Sequence, residues 1–380
     1  MLLPGIARAA LTPDQIEAKL QELDAKMEEC AKLKVDLEAL KDQMSKPPAA
    51  KPSWTDTIKF NGYFQNRYEN RQYNGPGGYS DFFMRRMYLN LIATPGDRTL
   101  GVLTIERAGP GDPNLTIAQA FAQYKVDDLY SIRGGQAGNN FGIDASQSSR
   151  DRIPLDRAMV AEGNSLLGQR GLWWRGWTDR GVWLIRKQDG SLPQVTVGLM
   201  NGQFSDRGGP GVGKTVEADV KKLTSWGYFG ASLMNGKYLQ RAASGDVFAN
   251  AINDRNAVGL YVFKKATPFG GQAEWIDGKL PGLLTPADRD FKGWYIQGVY
   301  DSGRKGFPFV RFEEYDQDKA DPGIYTAWHF GYKWRVNNCN EITFQVDKAN
   351  NGNRGPVSGG TTSSALGSAD MYAVQWQMGF

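Results

Sequence analysis

The sequence predicts an all-β fold, a 16-stranded antiparallel transmembrane β-barrel preceded by an α-helical coiled-coil stalk. Three observations carry that prediction. The chain ends on an alternating apolar strand, similar segments recur from residue 54 onward, and the connections differ in length between the two ends of those segments. Tyr372, Val374, Trp376, Met378 and Phe380 occupy every second position, with Ala373, Gln375, Gln377 and Gly379 between them. A strand sends alternate side chains to opposite faces, so this one has an aromatic face and a small, polar face. Closing a chain on such a Phe suits a strand whose apolar side meets lipid and whose polar side meets a watery lumen. Tyr372, Trp376 and Phe380 are expected to form a C-terminal barrel-assembly signal.

Composition narrows the alternatives. Among 380 residues there are 46 Gly, 11 Trp, 16 Tyr and 18 Phe. No run approaches the ~18 to 20 apolar residues of a membrane helix, which excludes a helical membrane protein. A barrel stays open, because alternating segments average out to polar. With 45 basic against 41 acidic residues the net charge is +4, too small to argue for a nucleic-acid partner. Two Cys and one His leave little room for a metal site or a thiol–histidine enzyme, so no metal, cofactor or catalysis is expected.

Residues 1–11 read as an N-terminal tail or signal remnant. Ala7-Arg8-Ala9 resembles a signal-peptidase site, yet no charged or adequately apolar stretch precedes it, so either a longer leader lies upstream or this is a ragged mature end. Residues 12–46 predict a helix, with Thr12 as N-cap, Pro13 at the first helical position and Gln15 as the reciprocal capping partner. Ile16, Leu20, Leu23, Met27 and Cys30 follow 4-3-4-3 spacing, and Leu33, Leu37, Leu40 and Met44 continue the seam after one short step. The rod would be roughly 43 Å long at about 1.5 Å per residue. One apolar seam needs partners, and three copies are expected; the alternative is a helix lying on its own barrel. The short step and Lys34 keep the seam itself from setting the number of partners. Residues 47–53, with Pro47, Pro48 and Pro52, make a semi-rigid linker.

The barrel is expected over 54–380, with strands near 54–71, 82–94, 99–108, 115–126, 130–138, 169–186, 194–202, 215–223, 227–236, 257–266, 271–280, 292–301, 307–316, 324–336, 341–349 and 369–380. That number is even, as bacterial barrels require. The clearest segment sets Ile324, Thr326, Trp328, Phe330, Tyr332, Trp334 and Val336 on one face, against Tyr325, Ala327, His329, Gly331, Lys333 and Arg335. Segment 169–186 could be split at Thr178-Asp179, and parity argues for one strand. With the C-terminus in the periplasm, the turns 95–98, 127–129, 187–193, 224–226, 267–270, 302–306 and 337–340 are periplasmic, and all are short. The opposite set, 72–81, 109–114, 139–168, 203–214, 237–256, 281–291, 317–323 and 350–368, is mostly long and rich in Gly, Pro, Ser or Asp, as external loops are. This places the helical stalk in the periplasm and the barrel in the outer membrane of a diderm bacterium.

Gly208 to Thr215 matches G-x-x-x-x-G-K-[ST], whose phosphate chemistry needs a helix after it. Val216–Leu223 could be a short helix or an alternating strand, and no βαβ alternation surrounds it, so a chance match in a Gly-rich loop is expected. The long loop 139–168 carries Arg150, Arg152 and Arg157 between Asp144, Asp151 and Asp156, around apolar Ile153, Pro154, Leu155, Met159 and Val160. Its apolar content predicts that it folds into the barrel and narrows the lumen, with guanidinium groups beside a dry wall attracting anions. The bland reading pairs each Arg with a neighbouring Asp. By alternation Lys59, Arg67, Arg86, Lys333 and Arg335 face the lumen, with Glu69, Asp301, Glu313 and Asp347; His329 is expected to be structural.

Ile132-Arg133-Gly134-Gly135-Gln136, Phe141-Gly142, Ser148-Ser149-Arg150-Asp151 and Leu155-Asp156-Arg157 resemble motifs of the phosphate-selective porins, the porin O and P family. The likeness extends loosely over residues 54–380, through Asn201-Gly202 and Phe380; Ala137 and Gly138 stand where that family has Phe and Lys, and no Pro precedes Phe141. The resemblance implies a homotrimeric, 16-stranded porin in a lipid bilayer, often with an N-terminal coiled coil, in which Arg133 and the loop arginines line the anion path. The expected function is passive diffusion of small anionic or neutral hydrophilic solutes, weakly favouring anions. Arg86, Arg133, Arg150, Arg152, Arg157, Lys333 and Arg335 would form the constriction. The alternative is a structural envelope protein that spaces or tethers the membrane to cell wall or periplasmic components through its stalk.

Overall fold

The computed structural model of the chain describes residues 13–45, 57–73, 78–109, 114–163, 171–172, 177–202, 213–240, 251–281, 288–303, 306–320, 323–350 and 368–380. Two compact units emerge, Met1–Asp56 and Thr57–Phe380. The first holds helix α1, Pro13–Ser45, within one residue of the span that the capping signals predict. Of the predicted seam, Met27, Leu33 and Leu37 are exposed along the helix of the single chain. The side chains of Ile16, Leu20, Leu23, Cys30, Leu40 and Met44, the tail 1–11 and the linker 47–53 lie outside the described residues.

Among the described residues the second unit is built of strands and loops. Its strands are β1 (Ile58–Tyr73), β2 (Tyr79–Ala93), β3 (Thr99–Ala108), β4 (Thr116–Lys125), β5 (Tyr130–Gly138), β6 (Thr178–Arg186), β7 (Gln194–Met200), β8 (Thr215–Leu223) and β9 (Gly227–Asn235). There follow β10 (Lys237–Gln240), β11 (Ala251–Asp254), β12 (Asn256–Lys264), β13 (Phe269–Pro281), β14 (Asp288–Tyr300), β15 (Phe307–Asp316), β16 (Tyr325–Arg335), β17 (Asn340–Asn350) and β18 (Ser368–Gly379). Strands β10 and β11 pair only with each other; the other sixteen close an antiparallel barrel in which each strand neighbours the next and β1 meets β18. Every predicted strand has its counterpart, with two corrections. Of segment 169–186, the described strand is β6 from Thr178, and Leu172 is buried in the interior cluster; 169–170 and 173–176 lie outside the described residues. The predicted loop 237–256 contains the small β10–β11 hairpin.

The terminal Phe explains itself in the closure. Phe380 exchanges two 3.1 Å backbone hydrogen bonds with Gly62, and a Cβ at Gly62 would stand 2.4 Å from the Tyr88 carbonyl oxygen and 2.7 Å from the Phe380 ring. Only glycine lets the last residue lie flat on the first strand.

The barrel is built inside out relative to a soluble sandwich. On β12, Ala257 and Tyr261 are buried while Val258 and Leu260 are exposed. On β1, Tyr63, Gln65, Arg67 and Glu69 are buried and Phe60 is exposed. Polar groups of the interior bond one another between strands, as Arg67 does Gln375 and Gln65 does Gln377, and the outer wall offers apolar groups, the division that lipid outside and water inside require. The apolar core sits within the ring, where Phe141, Ile143, Leu155, Met159 and Val160 of the long loop pack with Trp183, Met234, Ile276, Phe291, Tyr295 and Tyr315 of the wall.

Candidate functional site

Residues 139–163, after β5, lie off the wall, and their backbone is held by inward-facing side chains from both sides of the ring. At its start, Asn140 donates to Glu217 of β8, Gly142 to the Ser232 hydroxyl of β9, and Ile143 and Asp144 to the two oxygens of Glu274 on β13 at 3.1 and 3.2 Å. A buried carboxylate without a partner would be costly, and here peptide N–H groups supply the donors. Glycine is required at 142: its φ is +71°, and a Cβ would lie 1.9 Å from Glu274 Oε1.

Further along, Met159 donates to Glu313 of β15, and Arg311 of the same strand donates to the Asp156 and Arg157 carbonyls. Lys333 of β16 donates to the carbonyls of Arg150 and Arg152, each at 3.1 Å, and pairs with Glu341. Gln345 of β17 accepts from Leu155, and Gln377 of β18 donates to the Arg150 carbonyl. Gln65 and Arg67 of β1 and Arg86 of β2 complete the far anchor, on Ser149, Leu155 and Asp156. Since β9 stands half-way round the ring from β1, these anchors lie on opposite walls. Two glycines receive the apolar part: Phe141 packs on Gly259 and Val160 on Gly293.

Charge is segregated between those walls. Around β1 and β2 lie Arg67, Arg71, Arg85 and Arg86, partnered by Glu69, Glu106 and the loop's Asp156. Arg85 reaches the interior beside Arg86 because the β1–β2 register slips there, pairing Gln65 with Arg86 and Asn66 with Met84; a bulge re-aims the extra residue. Around β8, β9 and β13 lie the carboxylates Glu217, Asp219 and Glu274, which take donors from the loop backbone, Trp183, Ser232 and Tyr261.

The predicted site residues divide. Arg152 is buried, 3.8 Å from Asp144 and bonded to the Ser149 hydroxyl. Burial and the neighbouring Arg157 pull its guanidinium down to about 9. Arg157 is buried too, donating to the Asp144 and Gln147 carbonyls and to Glu162. Burial, the largest single influence on Glu162, would raise it, but Arg157 and Arg85 overcome that and hold it at about 2. Asp156 is likewise opposed by burial, yet Arg67 and Arg85 keep it well below the usual carboxylate range. Both arginines are thus held within the loop itself: Arg152 stands by Asp144 and the Ser149 hydroxyl, and Arg157 takes Glu162 and two loop carbonyls rather than a neighbouring aspartate carboxylate. Arg150 differs. Its backbone is clamped, yet its guanidinium, half-buried near Gly379, has no hydrogen bond or ion pair among the described residues.

Arg133 faces inward on β5, bonded to Gln123 and stacked 4.9 Å from the Phe121 ring, and is not among the residues that hold the loop. Arg335 is exposed beside Phe307 near the short-turn end of β16, away from the loop anchors. His329 is wedged between Glu313 and Asp347, at 2.7 and 2.8 Å, a structural bridge beneath the loop. Sequence reasoning missed Arg85, Arg311 and Glu274; a bulge and a buried carboxylate awaiting loop amides leave no periodic signal. The phosphate-loop match dissolves: Thr215 opens strand β8 rather than a helix, Lys214 bonds Asn201, and residues 208–212 lie outside the described residues.

The barrel has solved counterparts. The anion-selective porin of Comamonas acidovorans is similar at a TM-score of 0.63 and 12% identity, over 85% of this chain and 99% of that one. OmpF of Salmonella typhi aligns at 0.58 and 14% identity, covering 86% and 99%. The trimer form of OmpT from Vibrio cholerae aligns at 0.53 and 12% identity, covering 85% and 99%. At such identities the likeness establishes the fold alone, a closed antiparallel barrel. No protein-family model matches the sequence, and no curated protein sequence matches it.

Proposed function

We propose that the protein is a homotrimeric porin of the outer membrane that passes small hydrophilic solutes through a lumen narrowed by the loop 139–168, with a weak preference for anions. The observation that carries this reading is the anchoring of one loop to inward side chains of both walls, from Glu217, Ser232 and Glu274 to Arg67 and Arg86. A loop bound this way divides the lumen, and passage is then governed by size and by the charges left facing water. Arg150 is the loop cation that a solute meets; Arg86, Arg152, Arg157 and Lys333 act behind it by fixing the loop, while Arg133 and Arg335 add positive potential along the wall. The porin-type neighbours support diffusion as the activity, and the short sequence motifs around Arg150 and Arg157 support kinship with the phosphate-selective porins.

Helix α1 supports trimerisation from the periplasmic side, since exposed Met27, Leu33 and Leu37 form part of an apolar seam that partner helices would cover. The test is the reversal potential in a planar bilayer under a KCl gradient, followed by added phosphate. Moderate anion selectivity with little phosphate block fits the proposal, and strong block assigns a phosphate site. Folded trimers that never conduct would remove the channel reading and leave an envelope protein tethered through its stalk.

A further inference from the structure

The inner wall is covered unevenly. On β13 to β18 the inward side chains are buried almost to the short-turn end, as with Gln272, Val299, Phe309 and Thr343. From β4 to β12 the wall on that side of the loop stays half-exposed, with Phe121, Arg133, Ile185, Lys221, Tyr228 and Phe263. A solute in the lumen therefore meets this arc.

Cations here are laid on aromatic rings. Lys221 of β8 and Tyr228 of β9 share the inward face of buried Asp219 and Ser232, and the Lys221 Nζ lies 5.3 Å from the centre of the Tyr228 ring. Tyr228 stacks on Phe263 of β12, with centroids 4.8 Å and planes 22° apart, and meets Tyr261 edge-on at 6.3 Å. Gly230, paired with Lys221, makes room for this cluster, since a Cβ there would stand 2.4 Å from the Tyr261 ring. Asp219, two residues from Lys221 on the same face, already accepts from the Ser232 and Tyr261 hydroxyls. Lys221 itself has no hydrogen bond or ion pair among the described residues. The pattern recurs on β4 and β5, where the Arg133 guanidinium lies 4.9 Å from the Phe121 ring. Gln123 holds it through Nε at 3.1 Å, and its two terminal nitrogens have no hydrogen-bond partner among the described residues.

We infer that this arc binds aromatic anions of the aryl carboxylate class, the ring extending the Tyr228–Phe263 stack and the carboxylate on Lys221, with Arg133 over Phe121 as a second station. The inference rests on the diffusion reading above and names the solutes that the lumen would favour. Ring faces attract the cations that lie over them, and aromatic pairs gain from offset stacking beyond simple burial. An ammonium beside an apolar surface also attracts a carboxylate more strongly than one in open water. A small inorganic anion would use only the cation and a neutral ring only the stack, whereas an aryl carboxylate uses both.

Saturation-transfer NMR of the folded full chain in detergent tests this, with benzoate, acetate and cyclohexanecarboxylate as probes and empty detergent as the blank. Benzoate should bind about ten-fold more tightly than acetate, which carries the same charge without a ring. It should also bind more tightly than cyclohexanecarboxylate, which has the bulk without the aromatic face. Lys221→Gln should weaken benzoate binding roughly five-fold, and Lys221→Arg should retain most of it. Phe263→Leu should bring benzoate down to the level of cyclohexanecarboxylate, and Lys292→Gln, on the outward face of β14, should change nothing. Heat-shifted gel mobility verifies that each variant is folded, and the comparison of probes on the wild type needs no variant. Equal affinity for benzoate and acetate, or undiminished benzoate binding by Lys221→Gln, would overturn the inference. Conductance is read separately: benzoate binding by a barrel that never conducts removes the diffusion reading and leaves this site standing.

Discussion

At the scale of residues, the loop is held by a few contacts that tolerate no substitute. Gly142 combines a left-handed φ with contact against Glu274, so Gly142→Ala should cost about 2 kcal/mol locally and loosen the start of the loop. Larger, noisier single-channel steps are the expected readout; steps identical to wild type would show that this anchor does not position the loop. Arg150 is the half-buried counterpart whose guanidinium is not tied down among the described residues, and Arg150→Glu should shift the anion-to-cation permeability ratio about two-fold towards cations at low salt, with the shift shrinking as salt screens it. Asp156 gives a prediction about pH. Its folded pKa is depressed by Arg67 and Arg85, so its contribution is present above the unfolded value of roughly 4 and is lost only as pH falls through the much lower folded value. Channel steps at about pH 4.5 should therefore match those at neutral pH, and an increase in conductance there would mean that the clamp titrates in the ordinary range. None of these contacts is legible in the sequence. Gly142 lies near Glu274 only because β13 stands where the ring brings it, and Arg85 turns inward only through a slip of register.

At the scale of elements, the strands were legible because each is read twice. Lipid selects one face and water the other, so alternation is strict over segments such as Tyr325–Arg335, where Trp328, Phe330 and Trp334 are exposed and Ala327, His329 and Lys333 are buried. Where that double selection lapses the reading fails. Leu172 has the apolar character of a strand residue but is recruited into the interior cluster, and the β10–β11 hairpin is too short to show a period. The inward course of the loop was legible from its apolar residues, whereas its partners on the wall were not. Helix α1 was legible from its caps and seam. Leu33→Lys with Leu37→Lys should weaken association of the oligomer without unfolding the barrel, since these side chains are exposed in the single chain and belong to a separate unit. Sedimentation in detergent would register this as a shift to smaller species, and an unchanged size would show that the helix seam does not carry association.

At the scale of the whole molecule, the chain is a closed ring with apolar groups on its outer wall and one loop packed against its inner wall. The ring is continuously hydrogen-bonded and sealed by Phe380 on Gly62, and in the proposed function the loop is the element that sets selectivity. Anchoring on opposite walls uses arginines on one side and carboxylates on the other, so the same groups that fix the loop polarise the lumen across its width. Single-channel conductance of the full chain, compared with a form in which residues 141–160 are replaced by a short Gly–Ser link, tests this most directly. A several-fold rise in conductance with loss of ion preference is the predicted result. Equal conductance from both forms would contradict it, because the narrowest part of the path would then lie outside the loop.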